Sequence, residues 1–505
     1  MLENFKKQVE NFMKKEIFLN FIFTVLTSMI MFLQNKYFIK YMGIETLGIM
    51  KLFSQLLQYL NIVEMGLGSA STFALYKPLA EKNYKQVSII LSTIKNTYNK
   101  IAILLFCLGI LVIPTLPFFM KIKSFDKIIY FYWILYLLNT VSTYLFIKYV
   151  ILFTANQEFI YVRFIQSMSK ITYQILQIFL IIKYHSFILF IILLIVDNLT
   201  QYILFKKYFK KNYSFIFSTK EKYIGLNKDI KNLFWHKIGS LIVFNTDLIL
   251  IAKFVSIEIV GIYASYQIIV QMIGTLIGIV CNVIRPKIGK FISQNSNEEI
   301  YLSWKKVNII FGMLGVFFSI CTFILINDFI GLWIGKEFVF PKITIILINM
   351  NVFILVFRGP IEIYKESYGF FNDIQCPIYE SLINLIFSII LGMKLGLNGI
   401  ILGTIISNIT IILIYKPILV FKRCFDKDIK DYIRIYGNYL LLIIISILSC
   451  NFILKFVSLK NVNSWFDWIM NGVIVGSITF IITFAIFLSN KDFRDNLLFL
   501  RGNKK

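Results

Sequence analysis

Charge is scarce in this chain. Asp, Glu, Lys and Arg make up 16% of its 505 residues, against about 25% in an average soluble domain. No polar stretch is long enough to fold as a soluble domain of its own. Histidine occurs only twice. Neither a Ser/His/Asp constellation nor a cluster of metal ligands is visible, so no metal and no cofactor are expected. Cysteine is sparse and scattered: Cys107, Cys281, Cys321, Cys376, Cys424 and Cys450 have no metal-ligand spacing and read as small apolar fillers. Nucleotide chemistry finds little footing either. Asp426-Lys427-Asp428 is a DxD of the kind that holds a metal–sugar nucleotide, but it lies in a short charged connection with no nucleotide-binding domain around it. Gly66 and Gly68 form a Gly-x-Gly without the strand–turn–helix context of a dinucleotide site. The expectation is a protein that is not an enzyme.

Apolar sequence fills the rest. Hydrophobic residues account for 58% of the chain and the mean hydropathy is +0.74, values that belong in lipid. Crossing ~30 Å of hydrocarbon takes about twenty apolar residues. Such segments lie near 17–38, 47–75, 98–120, 128–152, 159–183, 186–205, 232–253, 260–284, 305–326, 341–369, 376–394, 397–417, 434–456 and 466–488, so fourteen spans are expected. The second and tenth are long, which implies tilt or extension past the bilayer. The residues that follow the first apolar run, 17–33, are not small, so the N-terminus reads as an uncleaved span rather than a signal peptide.

Basic residues set the orientation. Lys6, Lys7, Lys14 and Lys15 precede span one, and Lys206, Lys207, Lys210, Lys211, Lys220, Lys222, Lys228 and Lys231 follow span six. Alternate connections hold only a few, such as Lys253, Lys394, or Lys336 with Lys342. Both termini are therefore expected in the cytoplasm. This bias accounts for the net charge of +25, so no nucleic-acid partner is expected.

The chain also repeats itself. Ile44-Glu45 and Gly48 recur as Ile257-Glu258 and Gly261, Gln58 then falls on Gln271, and Pro78 has a counterpart in Pro286. The expected architecture is an all-α polytopic membrane protein in which two related six-helix bundles face a central cavity. Residues 1–205 form the first bundle, 206–231 a basic cytoplasmic linker, 232–421 the second bundle, and 422–505 two further helices and a cytoplasmic tail. Two such halves suit alternating access by rocking.

Polar residues inside spans mark the interior, because charge in hydrocarbon is costly. In span five Arg163, Gln166, Ser167, Lys170, Gln174 and Gln177 share one helical face. Arg163 has two readings, a base that snorkels to the interface or a cavity residue; Lys170, two turns deeper, reads as cavity. Span ten carries Asn351, Arg358, Glu362 and Lys365. The spacing of Arg358 and Glu362 allows a self-neutralised pair. The other reading has Arg358 on an anionic substrate while Glu362 positions or discharges it. Span seven aligns His236, Ser240 and Asp247, which under the repeat place Asp247 on Gln34 and Ser240 on Thr27. Asp247 is either a coupling site for protons or sodium or a hydrogen-bonded structural acid, and His236 reads as interfacial.

Span two places Lys51, Gln55 and Gln58 on one face with Glu64 round the helix, and span eight answers with Gln267, Gln271, Gly274, Gly278, Asn282 and Arg285. The small residues there suit helix packing equally well. Gln55, Gln58, Gln174 and Gln271 are expected to line a polar cavity. Asp197, Glu380 and Lys148 read as isolated, structural charges. Lys51, Lys148, Arg163, Lys170 and Arg358 outweigh Asp247 and Glu362, which biases the interior toward an anion. Arg suits phosphate through its two-pronged fork, Lys as a point charge.

The stretch YMGIETLGIMKLFSQLLQYLNIVEMGLGSASTFALYKPLAEKN, residues 41–83, closely resembles the opening hairpin of the polysaccharide-biosynthesis flippases, the Wzx-type O-antigen and capsule branch of the MOP exporter superfamily. There a turn bounded by glycines, here Gly43 and Gly48, leads into span two, and an LGLGSA-like run leads into a basic loop. GLNGIILGTIISNI at 396–409 is similar to the start of the family's span twelve. The resemblance implies a flippase that carries undecaprenyl-pyrophosphate-linked oligosaccharide repeat units from the inner to the outer leaflet of the bacterial cytoplasmic membrane, driven by a proton or sodium gradient. It implies a cationic cavity for the pyrophosphate–sugar headgroup, with membrane lipid, a polysaccharide polymerase and a chain-length regulator as partners. By analogy with lipid II flippases, the last two spans form a groove for the lipid tail. Lys51, Arg163, Lys170 and Arg358 agree with such a headgroup site, and Asp247 and Glu362 with ion coupling. A multidrug exporter of the same fold should have an acid-dominated interior. An O-antigen polymerase or ligase should have a large outward loop, and the outward connections near 327–340 and 457–465 are short. A transport-dead scaffold would share every one of these features.

Overall fold

The computed structural model describes residues 2–64, 67–120, 126–221, 223, 246–370, 373, 375–427, 429–457, 459–490 and 494. All elements among them are helical, and no strand occurs among the described residues. By contacts the chain divides into two compact units, Met1–Leu241 with Ser256–Gly261, and Ile242–Val255 with Ile262–Lys505.

The first unit is built from α1 (Leu2–Met42), α2 (Ile44–Leu60), α3 (Leu67–Ala80), α4 (Tyr84–Val112), α5 (Ile128–Ser142), α6 (Ile147–Ala155), α7 (Phe159–Tyr184) and α8 (Phe187–Asn212). α1 packs along α7, α7 on α8, α8 on α5, and α3 on α4 and α6. Span two is two helices rather than one: α2 and α3 are separated by a 3-10 turn over Asn61–Glu64. Breaks are local and legible: α1 gives way to α2 at Gly43 (φ +84°), and α4 opens on Asn83, whose side chain accepts the Gln86 amide.

The second unit contains α9 (Asp247–Phe254), most of α10 (Ile257–Ile292), α11 (Asn297–Trp333), α12 (Lys342–Phe357), α13 (Gly359–Ser367), α14 (Gln375–Leu395), α15 (Leu397–Ser407), α16 (Lys416–Val420), α17 (Ile429–Phe456) and α18 (Trp465–Phe487). α14 pairs tightly with α15, and α11 touches α12, α17 and α18. Ser296 with Glu299 and Ser464 with Asp467 form capping boxes at the starts of α11 and α18.

Among the described residues ten helices are long and apolar enough to cross a membrane, and Leu440–Phe456 adds a shorter apolar run in the expected span thirteen. Of the other expected spans, the second is the broken α2–α3 pair, and the fifth, α7, carries Arg163, Lys170 and Lys183. Most of the seventh, with His236 and Ser240, lies outside the described residues, as do linker residues Lys222, Lys228 and Lys231.

Both copies of the repeat open a helix with an acid in the first turn, Glu45 in α2 and Glu258 in α10. The first turn of α10 belongs to the N-terminal unit. There a Cβ on Gly48 would lie 2.0 Å from the Ile257 carbonyl oxygen, and one on Gly261 2.4 Å from that of Ile44. The shared glycines are thus a mutual close approach of two backbones.

The glycines of the 396–409 motif have a similar cause. Gly396 makes the α14–α15 turn at φ +58°, and a Cβ on Gly399 or Gly403 would lie 2.0 Å from Leu391 O or 2.3 Å from Ser388 Oγ. Gly403→Leu should therefore lower stability by about 2 kcal/mol or more, seen as a lower thermal unfolding midpoint in detergent. Gly278→Ala, with nothing within 4 Å of the added carbon, should leave it unchanged.

Candidate functional site

Span ten is built as two helices because its sequence cannot continue as one. α12 stops at Phe357, and Pro360 sits in the first turn of α13, where a missing N–H and a fixed φ suit a helix start. Arg358 is the junction residue. It is half-buried and makes no ion pair or side-chain hydrogen bond among the described residues. Glu362 stands one turn on, yet its carboxylate goes to Lys416 Nζ at 2.5 Å. Asp373 holds Lys365 Nζ at 2.5 Å and lies 3.9 Å from the Lys416 ammonium. The alternating chain Glu362–Lys416–Asp373–Lys365 is therefore self-neutral, and its last three members are buried. Buried charge needs compensation of this kind. Glu380 is buried beside it, within the field of Arg358 and Lys416.

Lys416 reaches this position through a distortion of span twelve. After α15 the helix widens into π turns over Asn408–Tyr415 and again over Phe421–Phe425, on either side of α16. Pro417 cannot donate to the Leu413 carbonyl. The hydroxyl of Tyr432, from α17, donates to it instead. Such π turns recur at functional sites.

Asp247 has a different environment. Thr404 Oγ1 lies 3.4 and 3.3 Å from its two carboxylate oxygens and Tyr263 OH 3.5 Å from one of them. Asn384 donates to Thr404 at 3.0 Å, and Thr246 Oγ1 lies 3.4 Å from Asn384 Oδ1. No Lys or Arg pairs with Asp247 among the described residues. One carboxylate ringed by neutral oxygens at long range can take up a proton or a small cation without displacing a salt bridge.

In the N-terminal unit the face of α7 is divided. Gln174 and Gln177 are buried and interlock with Gln34 of α1, Gln34 Nε2 donating to Gln177 Oε1 at 2.6 Å and Gln174 Nε2 donating to Gln34 Oε1 at 3.4 Å. Nearby, Ser169 donates to Asp197 of α8, which also accepts Gln201 at 3.0 Å. Arg163 and Lys170 remain exposed, and neither has an ion pair among the described residues. Lys51 of α2 is half-buried and likewise has no ion pair there, while Gln55 is buried and donates to exposed Gln58 at 3.3 Å. Gln271 is exposed on α10. Lys148 lines one cavity with Lys95 and Lys206, on α6, α4 and α8, helices that carry none of Lys51, Gln55, Gln58, Arg163, Lys170 and Gln271.

Four of the residues that build the C-terminal constellations escaped the sequence reading. Lys416 sits at the end of an apolar run and looks like a flanking base, although a Lys-Pro pair inside a span was a usable signal. Asp373 lies in a turn. Thr404 and Asn384 are neutral and distant in sequence from Asp247, so only the fold gathers them. The Glu362–Lys416 pair is directly testable. Lys416→Met strands Glu362 and should lower stability by about 3–5 kcal/mol. Adding Glu362→Gln should recover part of that loss in thermal unfolding; effects that merely add would show the two residues to be uncoupled.

No family model matches the chain, and no curated protein matches it. Solved structures do. A structure described as lipid II flippase MurJ in an inward closed conformation aligns over 95% of this chain and 100% of its own, with TM-score 0.66 and 18% identity. An inward-facing multidrug resistance MATE family transporter of the MOP superfamily aligns over 78% of this chain and 94% of its own, with TM-score 0.52 and 12% identity. The bent form of the Vibrio cholerae MATE transporter VcmN covers 82% and 97%, with TM-score 0.50 and 13% identity. At such low identity the likeness speaks for the fold: this chain has the all-helical fold shared by a lipid II flippase and MATE transporters.

Proposed function

We propose that this protein is a flippase that moves undecaprenyl-pyrophosphate-linked oligosaccharide repeat units from the inner to the outer leaflet of a bacterial cytoplasmic membrane by alternating access. The observation that carries the reading is the state of four bases. Lys51, Arg163, Lys170 and Arg358 have no ion pair among the described residues, whereas Lys365 and Lys416, a few residues or one helix away from Arg358, are neutralised. Cations left without an ion pair in spanning helices suit an anionic headgroup that supplies a partner. Gln55, Gln58 and Gln271 offer amides for sugar hydroxyls, while Gln174 braces α7 against α1.

An apolar cavity of about 480 Å³ between α11, α12, the first π segment and α17, lined by residues such as Phe323, Phe353, Leu440 and Ile444, suits a lipid tail. The fold shared with a lipid II flippase supports a lipid-linked cargo. Asp247 is the better candidate for coupling to protons or sodium, since Glu362 is committed to Lys416. The proposal places both termini in the cytoplasm and hands the repeat unit to a polymerase and chain-length regulator. MATE transporters share the fold, so export of multidrug-type organic cations is the second reading; the excess of unpaired bases speaks against it.

Loss of the protein from its host should trap lipid-linked oligosaccharide in the inner leaflet and remove surface polysaccharide. Unchanged surface glycan together with new sensitivity to cationic drugs would favour the exporter. Arg358→Ala should cut transport by about ten- to a hundredfold, the worth of one charged hydrogen bond, while the protein stays in the membrane; normal export would remove Arg358 from the site. Asp247→Asn should abolish dependence on the ion gradient, and an unaltered dependence would make the acid structural.

A further inference from the structure

A second cationic site lies inside the N-terminal unit, lined by none of the residues assigned to transport above. Lys95 of α4, Lys148 of α6 and Lys206 of α8 line one cavity of about 350 Å³, within the size range of small-ligand sites. These bases are far apart in the sequence, and only the packing of three helices gathers them. None is in an ion pair among the described residues, and no carboxylate lines the cavity. Glu64 does not line the cavity and accepts the hydroxyl of the lining residue Tyr144 at 3.0 Å.

Two of the ammonium groups are held in place by the wall itself. Lys148 Nζ lies 4.6 Å from the centroid of the Tyr149 ring, and Lys206 Nζ lies 5.3 Å from that of Tyr202. Asn99 adds an amide donor, and the cavity's remaining surface is largely tyrosine. Lys95 and Lys206 both act on the charge of Lys148. Three like charges this close repel one another, and the repulsion is relieved by an anion placed between them. Lysines converging from separate helices act as point charges on different oxygens of one tetrahedral group. The site is near the end of α8 from which Lys207, Lys210 and Lys211 continue, the face where anionic headgroups and soluble phosphates are attracted alike.

We propose that the Lys95–Lys148–Lys206 cavity binds a phosphate group, as a regulatory or anchoring site separate from the transport path. The group can come from an anionic phospholipid headgroup or from free phosphate in solution, and the test separates the two. The full-length protein is purified in detergent, and binding of radiolabelled inorganic phosphate is measured by equilibrium dialysis. In parallel, thermal unfolding midpoints are compared in nanodiscs of phosphatidylglycerol and of phosphatidylcholine. The triple variant K95M/K148M/K206M keeps the apolar stems and removes the charges, the single variant K148M guards against a triple variant that does not fold, and K207M is the control on the neighbouring surface.

Saturable phosphate binding that weakens about tenfold or more in K148M and is kept in K207M supports the site with a soluble ligand. A midpoint raised by phosphatidylglycerol in the wild type and in K207M, but not in the charge-removed variants, supports it with a lipid headgroup. Identical phosphate binding and identical lipid response in wild type and K148M overturn the proposal.

Discussion

Hydrocarbon offers no partner to a charge or a free backbone group, and every polar residue of the spanning helices answers to that constraint. The structure answers in two ways. Glu362, Lys416, Asp373 and Lys365 satisfy one another in a continuous chain, and Arg285 takes Glu366 at 2.6 Å. These charges are tolerated because each is met by its opposite. Lys51, Arg163, Lys170 and Arg358 are not met in this way among the described residues. The division turns a collection of intramembrane charges into two classes, one that ties helices together and one without an ion pair among the described residues.

Two acids that look alike in the sequence separate on the same grounds. Glu362 and Asp247 are each a carboxylate inside an apolar span. Glu362 is tied to a lysine, so protonating it would strand a buried ammonium. Among the described residues the hydrogen-bond partners of Asp247 are the hydroxyls of Thr404 and Tyr263, at 3.3 Å or beyond from its oxygens. Its charge can change without leaving an opposite charge orphaned, which is the property an ion-coupled step requires.

Much of the fold was legible because hydrophobic length and glycine placement are local signals. Apolar runs mark the membrane helices, Gly43 and Gly396 mark turns, and the recurrence of Gly48 as Gly261 marks a close backbone approach. The candidate site was legible only in part. Periodicity put Gln174 on the same face as Lys170, but a face says nothing about what lies against it, and Gln34 of α1 covers one and not the other. The spacing of Arg358 and Glu362 permitted a pair, and Lys416, 54 positions away from Glu362, outcompeted it. Lys148 read as one isolated charge, and its two companions come from helices with no sequence link to it. Local spacing gives candidates for contact; tertiary packing chooses among them.

The bond from Tyr432 to the Leu413 carbonyl has a bearing on how such a chain could be built up or trimmed. Pro417 has no amide proton to give that carbonyl, and a donor that serves it comes from the first of the two C-terminal helices. Trp468 of the second donates to Leu325 O in α11 at 3.0 Å. Span twelve in its bent form is therefore completed from outside the twelve-helix core. A shortened chain that ended before Ile429 would lack the hydroxyl that serves the Leu413 carbonyl, three residues before the lysine that neutralises Glu362.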